Sequence, residues 1–133
     1  MGGGIRVLVV DDDEDAASTL ASLLELEGYF VDVAANGRDA LARLTERTPD
    51  VVVTDLLMPD MDGRALIRVA RPLAPACTFI LMSAHDGLDA ARAGVTLVSK
   101  PIRIAELLDT VAAAVSGLTR TDRVSPRSGV APP

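Results

Sequence analysis

Four places in this 133-residue chain carry side chains that could do chemistry together. They are the acidic run Asp11-Asp12-Asp13, the lone Asp55 that ends VVVTD, Ser83 at the end of CTFILMS, and Lys100 in VTLVSKP. Clustered carboxylates repel one another, and one is pushed to protonate unless a cation arrives. A hard divalent cation with oxygen ligands removes the conflict, and a few carboxylates plus retained waters suit Mg2+ better than a closed Ca2+ cage. A lysine beside Asp55 keeps it ionised and offers a point charge for phosphate, while a serine hydroxyl can donate to a phosphoryl oxygen. An ionised carboxylate next to Mg2+ and lysine is a nucleophile suited to phosphoryl transfer, where catalysis is positioning plus neutralisation of charge.

That chemistry requires the four places to converge. Apolar runs with strand character alternate along the chain with segments of helical period. The spacing predicts strands over 5–10, 29–35, 51–55, 77–83 and 95–99. It predicts helices over 14–28, 36–50, 63–71, 87–94 and 103–117, with Gly28, Pro49, Pro72 and Gly117 as stops. Five βα units in this order predict an α/β fold with a parallel sheet, doubly wound, with helices on both faces. Near-continuous apolar strands such as VVV and FILM fit a sheet covered on both sides. In a parallel sheet every strand ends at the same edge, so Asp11, Asp12, Asp55, Ser83 and Lys100 come together there, where such folds bind ligands.

Composition narrows the class. The chain carries 13 Lys and Arg against 19 Asp and Glu, a net charge of −6, which argues against nucleic acid as the main partner. A single cysteine, Cys77, forms no internal disulfide and points to a reducing compartment. The start, Met1-Gly2-Gly3-Gly4, lacks the pattern of a signal peptide, and apolar runs fall short of the ~20 residues that cross a bilayer. A cytoplasmic protein without membrane contact is expected. Residues 118–133 are rich in Ser, Thr, Pro, Gly and Arg without apolar period, and read as a disordered tail or linker after a domain over 1–117.

The motifs VLVVDDDED, VVVTDLLMPDMDG, ILMSA and LVSKP, in this order, resemble the receiver domain of two-component response regulators across residues 5 to about 116. The resemblance implies a flavodoxin-like sheet of order 2-1-3-4-5 with five helices. It implies that Asp55 is the phosphoacceptor, and that Asp11 and Asp12 hold Mg2+ together with Asp55 and the backbone carbonyl of Leu57, Asp12 being the more direct ligand. Ser83 would bind a phosphoryl oxygen and act as the switch hydroxyl. Lys100 would pair with Asp55 and then with phosphate, and the Lys100–Pro101 peptide bond would be cis. Partners implied are a histidine kinase or histidine phosphotransfer protein, an output protein, and a homodimer in some members. Such a domain is a phosphoacceptor in signalling rather than an enzyme.

Taken singly, these residues have plainer readings. Asp55 could be a turn aspartate before Met58-Pro59, Ser83 a turn residue and Lys100 a solvated lysine. Asp13, Glu14 and Asp15 suit the start of a helix and are left out of the site. His85 reads as an exposed loop residue, and Cys77 as a small buried residue at the start of the fourth strand. Two other functions compete with phosphoacceptance. A Mg2+-dependent aspartyl phosphatase of the haloacid dehalogenase type wants a second carboxylate two residues after the nucleophile, and Leu57 stands there. A receiver-like scaffold used only for binding would not need Asp12, Asp55, Ser83 and Lys100 together.

Two features depart from the family pattern. The segment between the fourth and fifth strands, AHDGLDAARAG (84–94), is short, so the fourth helix is expected to be brief or partly unwound. Leu97 stands in the fifth strand where many members carry a switch Tyr or Phe. Together they suggest an order–disorder switch in residues 83–94 in place of a rotating ring.

Overall fold

The structure, a computed structural model, describes residues 4–84 and 95–123, with side chains to residue 116. Strands β1 (Arg6–Val10), β2 (Phe30–Ala34), β3 (Val51–Asp55), β4 (Thr78–Ser83) and β5 (Thr96–Ser99) form one sheet, with helices α1 (Glu14–Leu26), α2 (Gly37–Glu46), α3 (Gly63–Leu73) and α4 (Ile104–Arg123). All strand pairs are parallel and the order is β2-β1-β3-β4-β5. This is the doubly wound, flavodoxin-like arrangement that the motifs implied. The short helix expected over 87–94, the switch segment built on it and His85 lie outside the described residues.

Alternation along the strands sorts the core into two layers. Leu8, Val10, Val52 and Leu81 pack on one face against Ala40 and Leu44 of α2 and Leu66, Ile67 and Ala70 of α3. Val7, Val9, Val51, Val53, Ile80 and Met82 pack on the other against Ala17, Leu20 and Leu24 of α1 and Leu107 and Val111 of α4. Central β3 is buried along its whole length. That explains its unbroken apolar run, since a strand covered on both faces has no polar side to alternate with.

Each of the first three helices follows a strand and is capped by a short polar side chain. Asp13 accepts from the Asp15 and Ala16 amides at 3.1 Å each. Asn36 accepts from Asp39 at 2.8 Å, and Asp62 from Ala65 at 2.9 Å. These caps satisfy amides that have no partner within the helix. Asp13 therefore caps α1, with Glu14 and Asp15 in its first turn, as expected.

Element ends differ from the sequence pattern where capping and packing outweigh local punctuation. Helix α2 stops at Glu46, before Pro49, and α3 runs one residue past Pro72. A proline in the last turn removes only one late amide, so it ends a helix soon after itself without having to end it in front. Helix α4 continues six residues beyond Gly117, the expected stop, to Arg123. A glycine inside a helix costs about 1 kcal/mol against alanine, which slows but does not break a helix whose next proline is Pro126.

The loop between β3 and α3 folds back so that the start of α3 meets the end of β3. The Gly63 amide donates to the Leu56 carbonyl at 2.7 Å. A Cβ on Gly63 would collide with the carbonyl oxygen of Asp55 and lie 2.7 Å from Leu81 Cδ1. Gly63→Ala is therefore expected to destabilise the fold by about 1–3 kcal/mol. Urea denaturation checks this, and an unchanged midpoint would mean that the turn relaxes freely.

Candidate functional site

The site is assembled by strand register. Val10 of β1 pairs with Thr54 of β3, so the residues that follow, Asp11 and Asp55, leave the sheet side by side. Asp55 pairs with Met82 of β4, which sets Ser83 one step beyond it. Ser83 pairs with Ser99 of β5, and the Lys100 amide donates to the Ser83 carbonyl at 2.8 Å. Four segments far apart in sequence thus end at one edge of the sheet.

Side-chain geometry follows. One carboxylate oxygen each from Asp11, Asp12 and Asp55 lies within 4.8 Å of the other two. Asp11 and Asp55 are buried, and Asp12 is exposed. Lys100 Nζ lies 2.7 Å from Asp55 Oδ1. Asp11 Oδ1 accepts from the Asp13 amide at 3.0 Å, which turns that carboxylate inward. Ser83 is buried at the end of β4. The Lys100–Pro101 peptide bond is cis, as the motif implied. Leu57 lies two residues past β3 with an exposed side chain.

Electrostatics at this edge are unbalanced. Burial pushes the Asp11 carboxyl above its ordinary value. The Asp13 amide and the Lys100 charge pull it back, while the charges on Asp55 and Asp12 push it further up. One ammonium group thus faces three carboxylates. A hard cation fits this donor set, because the ligands are all oxygen, two are already withdrawn from water, and exposed Asp12 leaves room for retained waters. Beside the cluster, a cleft of about 460 Å³ opens between α1 and the loop after β5, lined by Asp11, Ala16, Leu20, Lys100 and Ile104 among others.

The plainer residues also have definite places. Cys77 lies half-buried one residue before β4, against the α2–α3 side of the core. Burial, and then the charge on Asp50, push its thiol up to about 12, which leaves it protonated and inert. Leu97 is half-buried against the same layer, opposite Leu81. Sequence reading assigned no role to Thr54, although a hydroxyl inside an apolar run is a visible signal. Its side chain is fully buried, and Oγ1 donates to the Asp55 carbonyl oxygen at 3.0 Å.

A parallel sheet of this order, with two acids after its first strand, an aspartate after its third and a lysine after its fifth, defines a receiver-type domain. The chain matches the response regulator receiver domain over residues 7–112 and belongs to that family. It is similar to the transcriptional regulatory protein ZraR of Salmonella typhimurium, at 34% identity over 97% of this chain and 30% of that one. It is likewise similar to the response regulator MprA of Mycolicibacterium vanbaalenii, at 32% identity over 89% and 53%. The chain thus spans about a third to a half of these relatives. Among solved structures, a CheY-like receiver domain protein from Methanospirillum hungatei superposes with a TM-score of 0.84 at 27% identity, covering 90% of this chain and 99% of that one. Members of the family act in two-component signalling, accept phosphate on an aspartate, and meet histidine kinases and output domains. Among the described residues, no helix is long and apolar enough to cross a membrane.

The Asp11 environment has a consequence for stability. Its pKa in the folded state lies above the ordinary value of 3.8, so the folded protein holds that proton more tightly than the unfolded chain. The contribution of this group therefore falls as pH rises from 3.8 through the raised value, and it opposes folding at neutral pH. Asp11→Asn is expected to raise the melting temperature of metal-free protein at pH 7, with the gain fading below the ordinary carboxylate range. Thermal melts across pH in the presence of a chelator check this, and a variant less stable than wild type at pH 7 would contradict it.

Proposed function

We propose that Asp55 is the phosphoacceptor of this receiver domain, and that it takes its phosphoryl group from a phosphohistidine on a histidine kinase or phosphotransfer protein. The observation that carries the reading is Lys100 Nζ at 2.7 Å from Asp55 Oδ1, beside a cluster that joins Asp55 to Asp11 and Asp12. An Asp55 carboxylate oxygen attacks phosphorus as the P–N bond breaks. The electron pair stays with the imidazole, and the product is an acyl phosphate. Lys100 pairs with Asp55 before attack and then faces the phosphoryl oxygens. Ser83, one step along the neighbouring strand, donates its hydroxyl to one of them. The phosphohistidine donor approaches Asp55 by the cleft between α1 and the loop after β5.

Asp11, Asp12, Asp55 and the Leu57 carbonyl would hold Mg2+, which neutralises charge on the transferring group. Beyond accepting and losing its own phosphate, the domain turns over no substrate, and its output is altered binding to another protein. The unpaired Cys77 and this phosphate chemistry both fit the cytoplasm.

Two measurements test the reading. Asp55→Asn keeps shape and exposure while removing the nucleophile, so intact mass after acetyl phosphate and Mg2+ should register a phosphate adduct on wild type and none on the variant. An equal adduct on the variant would reject Asp55. Millimolar Mg2+ should raise the melting temperature of wild type, because a ligand of the folded state stabilises by mass action. Asp12→Ala should lose most of that rise, and a midpoint indifferent to Mg2+ in both proteins would remove the metal from the scheme.

A further inference from the structure

Four polar side chains are buried among the described residues: Asp11, Asp55, Ser83 and Thr54. The first three belong to the phosphoacceptor site. Thr54 has no part in it, yet it is withdrawn from water completely. Alternation along β3 puts it on the same face as Val52 and Leu56, in the apolar layer under α2 and α3. Its neighbours in register, Val10 and Leu81, are aliphatic and buried. Valine has nearly the same shape and would suit that layer better, since a buried hydroxyl costs free energy unless it is hydrogen-bonded.

The hydroxyl is hydrogen-bonded, and its partner explains its presence. Thr54 Oγ1 donates to the carbonyl oxygen of Asp55 at 3.0 Å. The ladder between β1 and β3 ends at the Val10–Thr54 pair, so that carbonyl lies one residue beyond it. The same oxygen lies against Gly63, where a Cβ would collide with it. The amide side of this same peptide is held by the Leu56 amide on the Met82 carbonyl at 3.0 Å, and the next peptide by the Gly63 amide on the Leu56 carbonyl at 2.7 Å. The Asp55–Leu56 peptide is therefore fixed by backbone at its amide and by one side chain, Thr54, at its carbonyl.

We infer that Thr54 is a positioning residue for phosphoryl transfer. Its hydroxyl locks the peptide plane of Asp55, and so the direction in which the carboxylate meets Lys100, Asp11 and Asp12. This inference rests on the reading of Asp55 as phosphoacceptor. Small errors of aim are costly in such reactions, because the gain from a positioned nucleophile depends on near-attack geometry.

The test compares wild type, Thr54→Val and Thr54→Ser, each with Mg2+ and acetyl phosphate. The rate of adduct formation is read by intact mass and the melting temperature is read without phosphodonor. Thr54→Val should fold, melt within about 4 °C of wild type, and take phosphate about three- to tenfold more slowly. Thr54→Ser, which keeps the hydroxyl but loses a methyl group from the core, should melt lower than Thr54→Val and still react near the wild-type rate. That opposite ordering of stability and rate separates aim from packing. A wild-type rate in Thr54→Val, or a rate that follows melting temperature across the three proteins, overturns the inference while leaving Asp55 in place. Failure of wild type itself to take phosphate overturns both readings.

Discussion

Three carboxylates and one ammonium group meet at a single edge of the sheet, and that unbalanced charge is the constraint around which the rest of the structure is arranged. In isolation, such a cluster would protonate, swell or draw in water until its repulsion was relieved. Here it persists because β3 is buried along its whole length and clamped between β1 and β4 by regular ladders. Asp55 is displayed by a strand that has little freedom to retreat. Lys100 supplies part of the missing charge from the end of β5. The remaining negative charge suits a hard cation with oxygen ligands.

The five acidic residues from Asp11 to Asp15 divide into two groups by backbone position. Asp11, at the end of the strand, is turned inward by the Asp13 amide, and Asp12 stays exposed within reach of the same centre. Asp13 has left the strand and caps α1, and Glu14 and Asp15 lie in the first turn of that helix, where negative charge is favoured. Candidate ligand and cap are thus one residue apart, and the chain's change of direction after Val10 separates them. The same economy recurs after β3, where Asp62 caps α3 and Gly63 admits the Asp55 carbonyl.

Attachment of a phosphoryl group would add negative charge where Lys100 now pairs with Asp55, and would draw on hydroxyl and ammonium partners. How that change leaves the site depends on β5. Leu97 is held in the layer beneath α2 and α3, opposite Leu81, by ordinary aliphatic packing. A relay that depends on an aromatic ring turning in or out at this position has no ring to turn. Ser83 and Lys100 lie on strands that are joined directly by the Lys100 amide on the Ser83 carbonyl.

The site was legible in the sequence because its ingredients are local. Asp11, Asp12, Asp55, Ser83 and Lys100 each follow an apolar run, and a run of alternating strands and helices makes strand ends coincide whatever the details of packing. Fold class and the helix-capping role of Asp13 were legible for the same reason, since both follow from short-range pattern. Tertiary structure decided what depends on neighbours far away in the chain. The continuation of α3 past Pro72 to an Ala74 cap, and of α4 past Gly117, departs from the local stop signals. The raised pKa of Asp11 arises from burial by segments distant in sequence. Thr54 is the sharpest case. In VVVTD it is one more β-branched residue at a strand end, and only the end of the β1–β3 ladder and the close approach of Gly63 give its hydroxyl a single partner, the carbonyl of Asp55. Residue type is written in the chain, but the partner of a buried hydrogen bond is chosen by the packing that excludes water from it.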